Sequence, residues 1–301
     1  MIIDTHAHLE IIDDLENSLK RAKDAGVGKI ITIGTSLESS KKAIEIAQKF
    51  SRDDLQIFAT CGIHPKDGKD EVEKFSLDRC INTLKQLIGS SSKVVGVGEA
   101  GLDYRLTADP STHSVNSVQA SSGQAKPVTT DEEKEFQRKL FTEQIKLAGE
   151  LNLPLIIHCR NAWDEIFEHL DNKRGQSSFG VFHSWTGDWN SAQKALNLGF
   201  YISFSGIVTF KQSLRSSSFG ELRTAGLKNA LDIQEVAKKM PLEQILIETD
   251  SPFLSPEPLR GKTNEPKNVR IIAEFLAHLR SQPIDKIIGV SADNAKRLFG
   301  I

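Results

Sequence analysis

The sequence predicts an α/β fold, a (β/α)8 barrel of the TIM type. Three observations carry that expectation. Short β-favouring runs recur eight times, and stretches with helical periodicity lie between them. Several of the runs are continuously apolar, as parallel strands are when helices cover the outside and side chains fill the inside. A chain of 301 residues holds the ~250 of such a barrel with room for insertions. An open doubly wound sheet competes and ranks lower, because eight is the closing number.

In chain order the runs are IIDTHAHL (2–9), KIITIGT (29–35), IFATCGIH (57–64), VVGVGEAGL (94–102), LPLIIHCR (153–160), FGVFHSW (179–185), FYISFSGI (200–207) and ILIETDSP (245–252). DDLENSLKRAKDAG reads as a helix capped by Asp13 or Asp14 and stopped at Gly26. Residues 131–151 read as a long helix, with acids first and Phe136, Leu140, Phe141, Ile145 and Leu147 as its apolar positions. Residues 266–280 and 284–299 form the last two helices. Residues 1–301 are thus expected to be one barrel domain. Its rhythm breaks at 107–130, where nine of 24 residues are Ser or Thr and none is aromatic. Such a stretch buries too little apolar surface to offset its ordering entropy, so a mobile surface insertion is expected there, with a substrate lid as the second reading. Another Ser-rich patch, 215–222, belongs to the loop after the seventh strand.

Composition excludes several classes. The net charge of −2 provides no global basic field, so nucleic-acid binding would need a local patch or metal ions. The three cysteines, Cys61, Cys80 and Cys159, are too few and too widely spaced for a disulfide framework or a zinc ribbon. With no signal-like N-terminus and no membrane-length apolar run, a cytoplasmic or nuclear protein is expected, without a membrane or a tight protein partner, as a monomer.

Metal-competent residues collect where these strands end, the rim at which barrels build active sites. His6 and His8 close the first run; their i, i+2 spacing puts both imidazoles on one face of a strand. His64 closes the third, Glu99 the fourth, His158 the fifth, His183 the sixth and Asp250 the eighth. Glu99 sits among glycines in a run that reads as buried, and Asp250 follows Glu248 at i−2. Both invite a cation, since a buried unpaired carboxylate is costly and neighbouring carboxylates repel. His6, His8, Glu99, His158, His183 and Asp250 are too many donors for one tetrahedral catalytic zinc. They suit two divalent ions bridged by a carboxylate, and Glu99 is the expected bridge. Mixed imidazole and carboxylate donors accept Zn, Mn or Fe, and Mg favours a more oxygen-rich set, so the sequence does not choose among Mg, Mn and Zn.

DTHAHL, GIHP, GEAGLDY, LPLIIHCRNAWDE, FHSWTGD, ETDSPFL and RGKTNEP, in this order, resemble the TatD-type deoxyribonucleases, metal-dependent hydrolases of the amidohydrolase-like barrel class. The longer 107–130 region resembles eukaryotic members. The resemblance implies divalent metal and phosphodiester hydrolysis in DNA, commonly as a 3′→5′ exonuclease, with the same six residues as ligands. Asp250 is the expected general base. His64, Arg160 and Arg260 are expected on substrate phosphate, Asp103 behind a ligand imidazole, and Trp185 as a stacking platform for a terminal base. Two alternatives remain: a metal-dependent amidohydrolase acting on a small C–N substrate, and a non-catalytic nucleic-acid-binding protein with a decayed site. Arg160 and RGKTNEP favour an anionic substrate over the first, and the complete set of six donors disfavours the second.

Overall fold

The structure, a computed structural model, describes residues 1–105, 128–171, 179–211 and 222–301, with side chains from residue 230 in the last stretch. Eight parallel strands follow one another in chain order: β1 (Ile2–Ala7), β2 (Val27–Thr32), β3 (Gln56–Cys61), β4 (Val94–Asp103), β5 (Leu155–Arg160), β6 (Gly180–Phe182), β7 (Tyr201–Phe204) and β8 (Ile245–Ile247). Around them lie α1 (Leu15–Asp24), α2 (Leu37–Phe50), α3 (Gly68–Phe75), α4 (Leu77–Gly89), α5 (Asp131–Leu151), α6 (Trp163–Asp171), α7 (Trp189–Asn197), α8 (Leu222–Lys239), α9 (Val269–Leu279) and α10 (Ile284–Phe299). The expected barrel is the observed one. The long helix at 131–151 and the last at 284–299 have the expected bounds, whereas 266–280 divides into a 3-10 turn at Pro266–Asn268 and α9. Among the described residues, no helix is long and apolar enough to cross a membrane.

The continuous apolar runs serve two cores. Ile2, Ile30, Ile57, Leu155, Ile157, Ile245 and Ile247 join the layer between strands and helices. Their alternate neighbours Ile3, Ile31, Val95, Ile156, Val181 and Leu246 form a second cluster. Ala292, Ala295, Leu298 and Phe299 of α10 complete that second cluster, so the last helix plugs the bottom of the barrel.

Several strands end earlier than expected. β1 stops at Ala7 rather than residue 9, β3 at Cys61 rather than 64, and β8 at Ile247 rather than 252. Beyond these points the chain leaves the ladder and turns toward the mouth; Ser184 (φ 43°) and Asp250 (φ 56°) adopt the left-handed region that non-glycine residues seldom enter. β8 is joined to β1 by a seam of side chains and single backbone bonds. Asp4 accepts from Thr249 N (2.9 Å) and Oγ1 (2.6 Å), and Thr5 Oγ1 donates to the Ile247 carbonyl (3.1 Å). Asp250 N donates to the His6 carbonyl (2.9 Å) and His8 N to that of Ser251 (2.7 Å).

Residues 107–127 of the Ser/Thr-rich segment and 215–221 of the second Ser-rich patch lie outside the described residues. The stem of the first is described. Val128 N donates to the Arg105 carbonyl (2.8 Å), and Arg105 N donates to Thr129 Oγ1 (2.8 Å). Thr130 then forms a capping box with Glu133 at the start of α5. Because Arg105 and Val128 already meet, replacing 106–127 with a short Gly-Ser link is expected to leave stability within ~1 kcal/mol of the parent, a small effect on the usual mutational scale. Extending the excision through Thr130 removes the cap and should cost a further ~1 kcal/mol. Denaturant midpoints of the two deletions check this; a large loss from the shorter excision would contradict it.

Candidate metal centre

Two local irregularities aim the central donors. Between β1 and β2 the register passes from Asp4↔Ile30 to Ala7↔Thr32, three residues on one strand against two on the other. Between β4 and β5 it passes from Val97↔Leu155 to Ala100↔Ile157 in the same way. Each extra residue is a bulge, and a bulge redirects side chains. His6 lies in the first and Glu99 in the second. Gly98 is required beside Glu99: its φ is 140°, and a Cβ there would sit 2.6 Å from the Ile156 carbonyl oxygen.

The side chains converge in two sets. In the first, His6 Nε2 and His8 Nε2 are 3.3 Å apart, and Asp250 Oδ1 lies 3.3 Å from His8 and 3.6 Å from His6. Glu99 Oε2 joins this set at 3.6 Å from His6 and 3.9 Å from His8. In the second, Glu99 Oε1 is 2.7 Å from His158 Nδ1 and 2.9 Å from His183 Nε2, with those two nitrogens 3.2 Å apart. The two oxygens of Glu99 therefore face different sets. Donors bound to one ion at ~2.1 Å stand roughly 3.0–3.4 Å from each other, from octahedral to tetrahedral geometry. The observed spacings bracket that range, and the donors are imidazoles and carboxylates, all buried except the half-buried His158. The residues present fit a binuclear metal site, with the ion's identity left open by the donor set.

Other side chains hold this constellation. Asp103 Oδ2 lies 3.3 Å from His158 Nε2, the imidazole edge turned away from Glu99. Glu248 Oε1 lies 3.4 Å from His183 Nδ1 and accepts from Ser184 N (2.7 Å). Glu10 Oε1 stands 3.9 Å from His8 Nδ1. Carboxylates behind ligand histidines fix ring orientation and raise donor basicity. Two glutamines of α5 act as backbone surrogates. Gln137 pairs with both the N–H and the carbonyl of Asp103, and Gln144 does the same for Ile63, next to His64.

His64 has a different role from the other rim histidines. Its Nδ1 accepts from Lys66 N (3.1 Å), so the neutral ring carries its proton on Nε2. That Nε2 lies 3.5 Å from Glu99 Oε1 and presents a donor rather than a lone pair. The close-set trio His64, Asp103 and His158 accordingly reads as a hydrogen-bonding group. Burial pushes the His64 imidazole down to about 3, which keeps it neutral.

The charges are strongly coupled. Burial opposes the ionised form of Glu99, but His183, His64 and His158 outweigh it and hold the carboxyl well below the usual carboxylate range. Burial lowers His8, yet Asp250, Glu99 and Glu10 push it up to about 9. Burial and the neighbouring His183 depress His6. Asp103 is held below its ordinary value by His158 and Arg160, against its burial. Burial drives Asp4, in the seam, up to about 8.

Arg160 lies 3.4 Å from Asp103 and is partly exposed, so it stands beside the site in an ion pair. Arg260 lies with its guanidinium 3.7 Å from the centroid of the Phe210 ring, on the loop after β8. Trp185 is not a stacking platform. It is 1% exposed, its Nε1 donates to the Gly187 carbonyl, and its ring packs 4.3 Å from Trp163 and 5.6 Å from Phe182. Glu248 and Asp250 do not confront each other as the i, i+2 spacing suggested, because the left-handed turn at Asp250 sends them to different histidines. Glu10, two residues after His8, is a site neighbour that the motif reading passed over.

A family model described as TatD-related DNase matches residues 3–300. An uncharacterized metal-dependent hydrolase of Bacillus subtilis, YabD, is 34% identical over 304 residues, covering 100% of both chains. The crystal structure of YjjV, a TatD homologue from Escherichia coli, superposes with a TM-score of 0.77 at 28% identity, over 100% of this chain and 98% of that one. A TatD-family hydrolase structure from Entamoeba histolytica gives a TM-score of 0.75 at 22% identity over 99% of this chain and 97% of its own, a likeness of fold.

Since Glu99 faces both sets and His8 only one, their substitutions should differ in stoichiometry. His8→Ala is expected to lose one ion and keep the other through Glu99, His158 and His183, whereas Glu99→Gln should weaken both. Metal content by mass spectrometry after equilibration in excess Zn or Mn tests this. Metal removal from the wild type should lower stability by ~2.7 kcal/mol for each site previously held at 100-fold over its Kd.

Proposed function

The chain belongs to the TatD-related DNase family, and from that premise we propose that it is a divalent-metal-dependent deoxyribonuclease, trimming DNA from the 3′ end with internal cleavage as a second mode. The observation that carries the reading is the division of the Glu99 carboxylate between two donor sets. Family membership supports the choice of DNA and of the 3′→5′ direction.

In this reading His6, His8, Asp250 and Glu99 would hold one ion, and Glu99, His158 and His183 would hold the other. Two divalent ions there would acidify a water toward neutrality and neutralise the charge on the phosphodiester oxygens. Asp250, whose Oδ1 faces His6 and His8, would take the proton of the attacking water. His64 donates from Nε2 to a phosphate or leaving oxygen. Arg160, braced against Asp103, and Arg260, braced on Phe210, bind flanking phosphates. Asp103 and Glu248 keep His158 and His183 oriented while charge moves.

Metal-loaded protein incubated with 5′-labelled single-stranded DNA should yield a ladder shortening from the 3′ end, with cyclic amides untouched in parallel. Amide turnover without DNA cleavage would replace this reading with an amidohydrolase. Asp250→Asn should fold normally, retain at least one ion, and lose at least ~100-fold in DNA hydrolysis; near-wild-type turnover would remove both the base assignment and the two-ion scheme built on it. Arg160→Ala should flatten the salt dependence of log K for single-stranded DNA by about 0.7, the weight of one phosphate contact.

A further inference from the structure

Five large apolar side chains are exposed among the described residues: Met1, Ile11, Val128, Leu231 and Phe253. Three of them stand on rim loops. Ile11 follows His8, Val128 closes the stem beside Arg105, and Phe253 follows Asp250. Phe253 is the only aromatic of the five, and it is 51% exposed. Its ring stands edge-on to His8, 5.7 Å between centroids at 69°.

This residue is not a loose loop tip. Its N–H donates to the Asp250 carbonyl (2.8 Å), and its own carbonyl accepts from Asn264 Nδ2 (2.7 Å). Asn264 is fully buried; it also donates from Nδ2 to Thr249 O (2.8 Å) and from its backbone N to Pro252 O (3.0 Å). A buried amide thus ties together the chain before, at and after the exposed ring. An apolar side chain held in place yet half open to water, directly beside a charged centre, is suited to a ligand with a flat apolar part and an anionic part. A nucleotide has both. Trp185, the aromatic that the sequence offered for this task, is buried in the outer core, whereas Phe253 presents its ring on the loop after β8, beside His8.

We propose that Phe253 is the stacking platform for the terminal nucleobase of the DNA strand whose phosphodiester reaches the two ions. The proposal rests on the deoxyribonuclease reading and adds to it what the enzyme recognises besides phosphate. Stacking accepts any base, because every base has a π-face, so the site is indifferent to sequence but sensitive to the loss of a base.

The test uses metal-loaded full-length protein and two 5′-labelled oligonucleotides that differ only at the 3′ end, one with a base and one abasic. Wild type should favour the base-bearing end by ~10-fold in kcat/KM, and a 3′-terminal 2-aminopurine should lose fluorescence on binding. Phe253→Ala and Phe253→Leu should erase both the preference and the quenching, and Phe253→Trp should keep them, with metal content equal in all three. The leucine variant separates the aromatic face from mere apolar bulk. If Phe253→Ala retains the base preference, the platform is overturned and the deoxyribonuclease reading stands. If wild type binds and cleaves neither oligonucleotide, both fall together.

Discussion

The structure depends on one buried carboxylate. Glu99 is 3% exposed in the mouth of an apolar barrel, where an uncompensated negative charge would cost several kcal/mol. Histidines from four different strand ends surround it, and its two oxygens are divided between them. Local backbone choices serve this arrangement. Glu99 N donates to the Gly34 carbonyl (2.9 Å), which ties its bulge to the loop after β2. At Gly62 an added Cβ would lie 2.5 Å from the Gly98 backbone, so the loop after β3 must also approach closely. Cations are the natural counterweight to such a carboxylate, and the spacing of the imidazoles around it makes room for two.

Much of this was legible in the sequence, for definite reasons. Parallel strands buried on both faces leave continuous apolar runs, so eight of them could be counted, and their last residues named the donors. What the sequence hid was direction beyond the last ladder bond. Ser184 and Asp250 enter the left-handed region without being glycine, and nothing in their identity announces it. The turn at Asp250 separates it from Glu248 and frees Glu248 to support His183. The chain after His183 carries the Trp185 ring into the outer core with Trp163 and Phe182 rather than toward the mouth. Glu10 was obscured because a lone acid after a motif has no period to betray it.

The helix α5 braces the rim at the ends of β4 and β3. Gln137 and Gln144 reach from one helix to the backbones of Asp103 and Ile63, replacing bonds that the ends of β4 and β3 cannot make within the sheet. Arg105 and Val128 close the stem only two residues beyond Asp103. The support of His158 is therefore fixed on both sides of the point where the extra segment departs. The hydrogen-bonded frame that positions the donors is thus present in the described residues before and after that point.

The seam between β1 and β8 joins residues some 245 positions apart, since Asp4 pairs with Thr249 and the same junction brings Asp250 to His6 and His8. Contacts of such sequence separation carry a loop-closure cost that slows folding. During synthesis Glu99 can reach His6 and His8 once β4 is made, but Asp250 is missing from them until the eighth strand follows. A chain that ends before residue 250 thus lacks Asp250 and with it one donor of the first set. The topology itself postpones the appearance of a hydrolytic centre until the barrel around it can close.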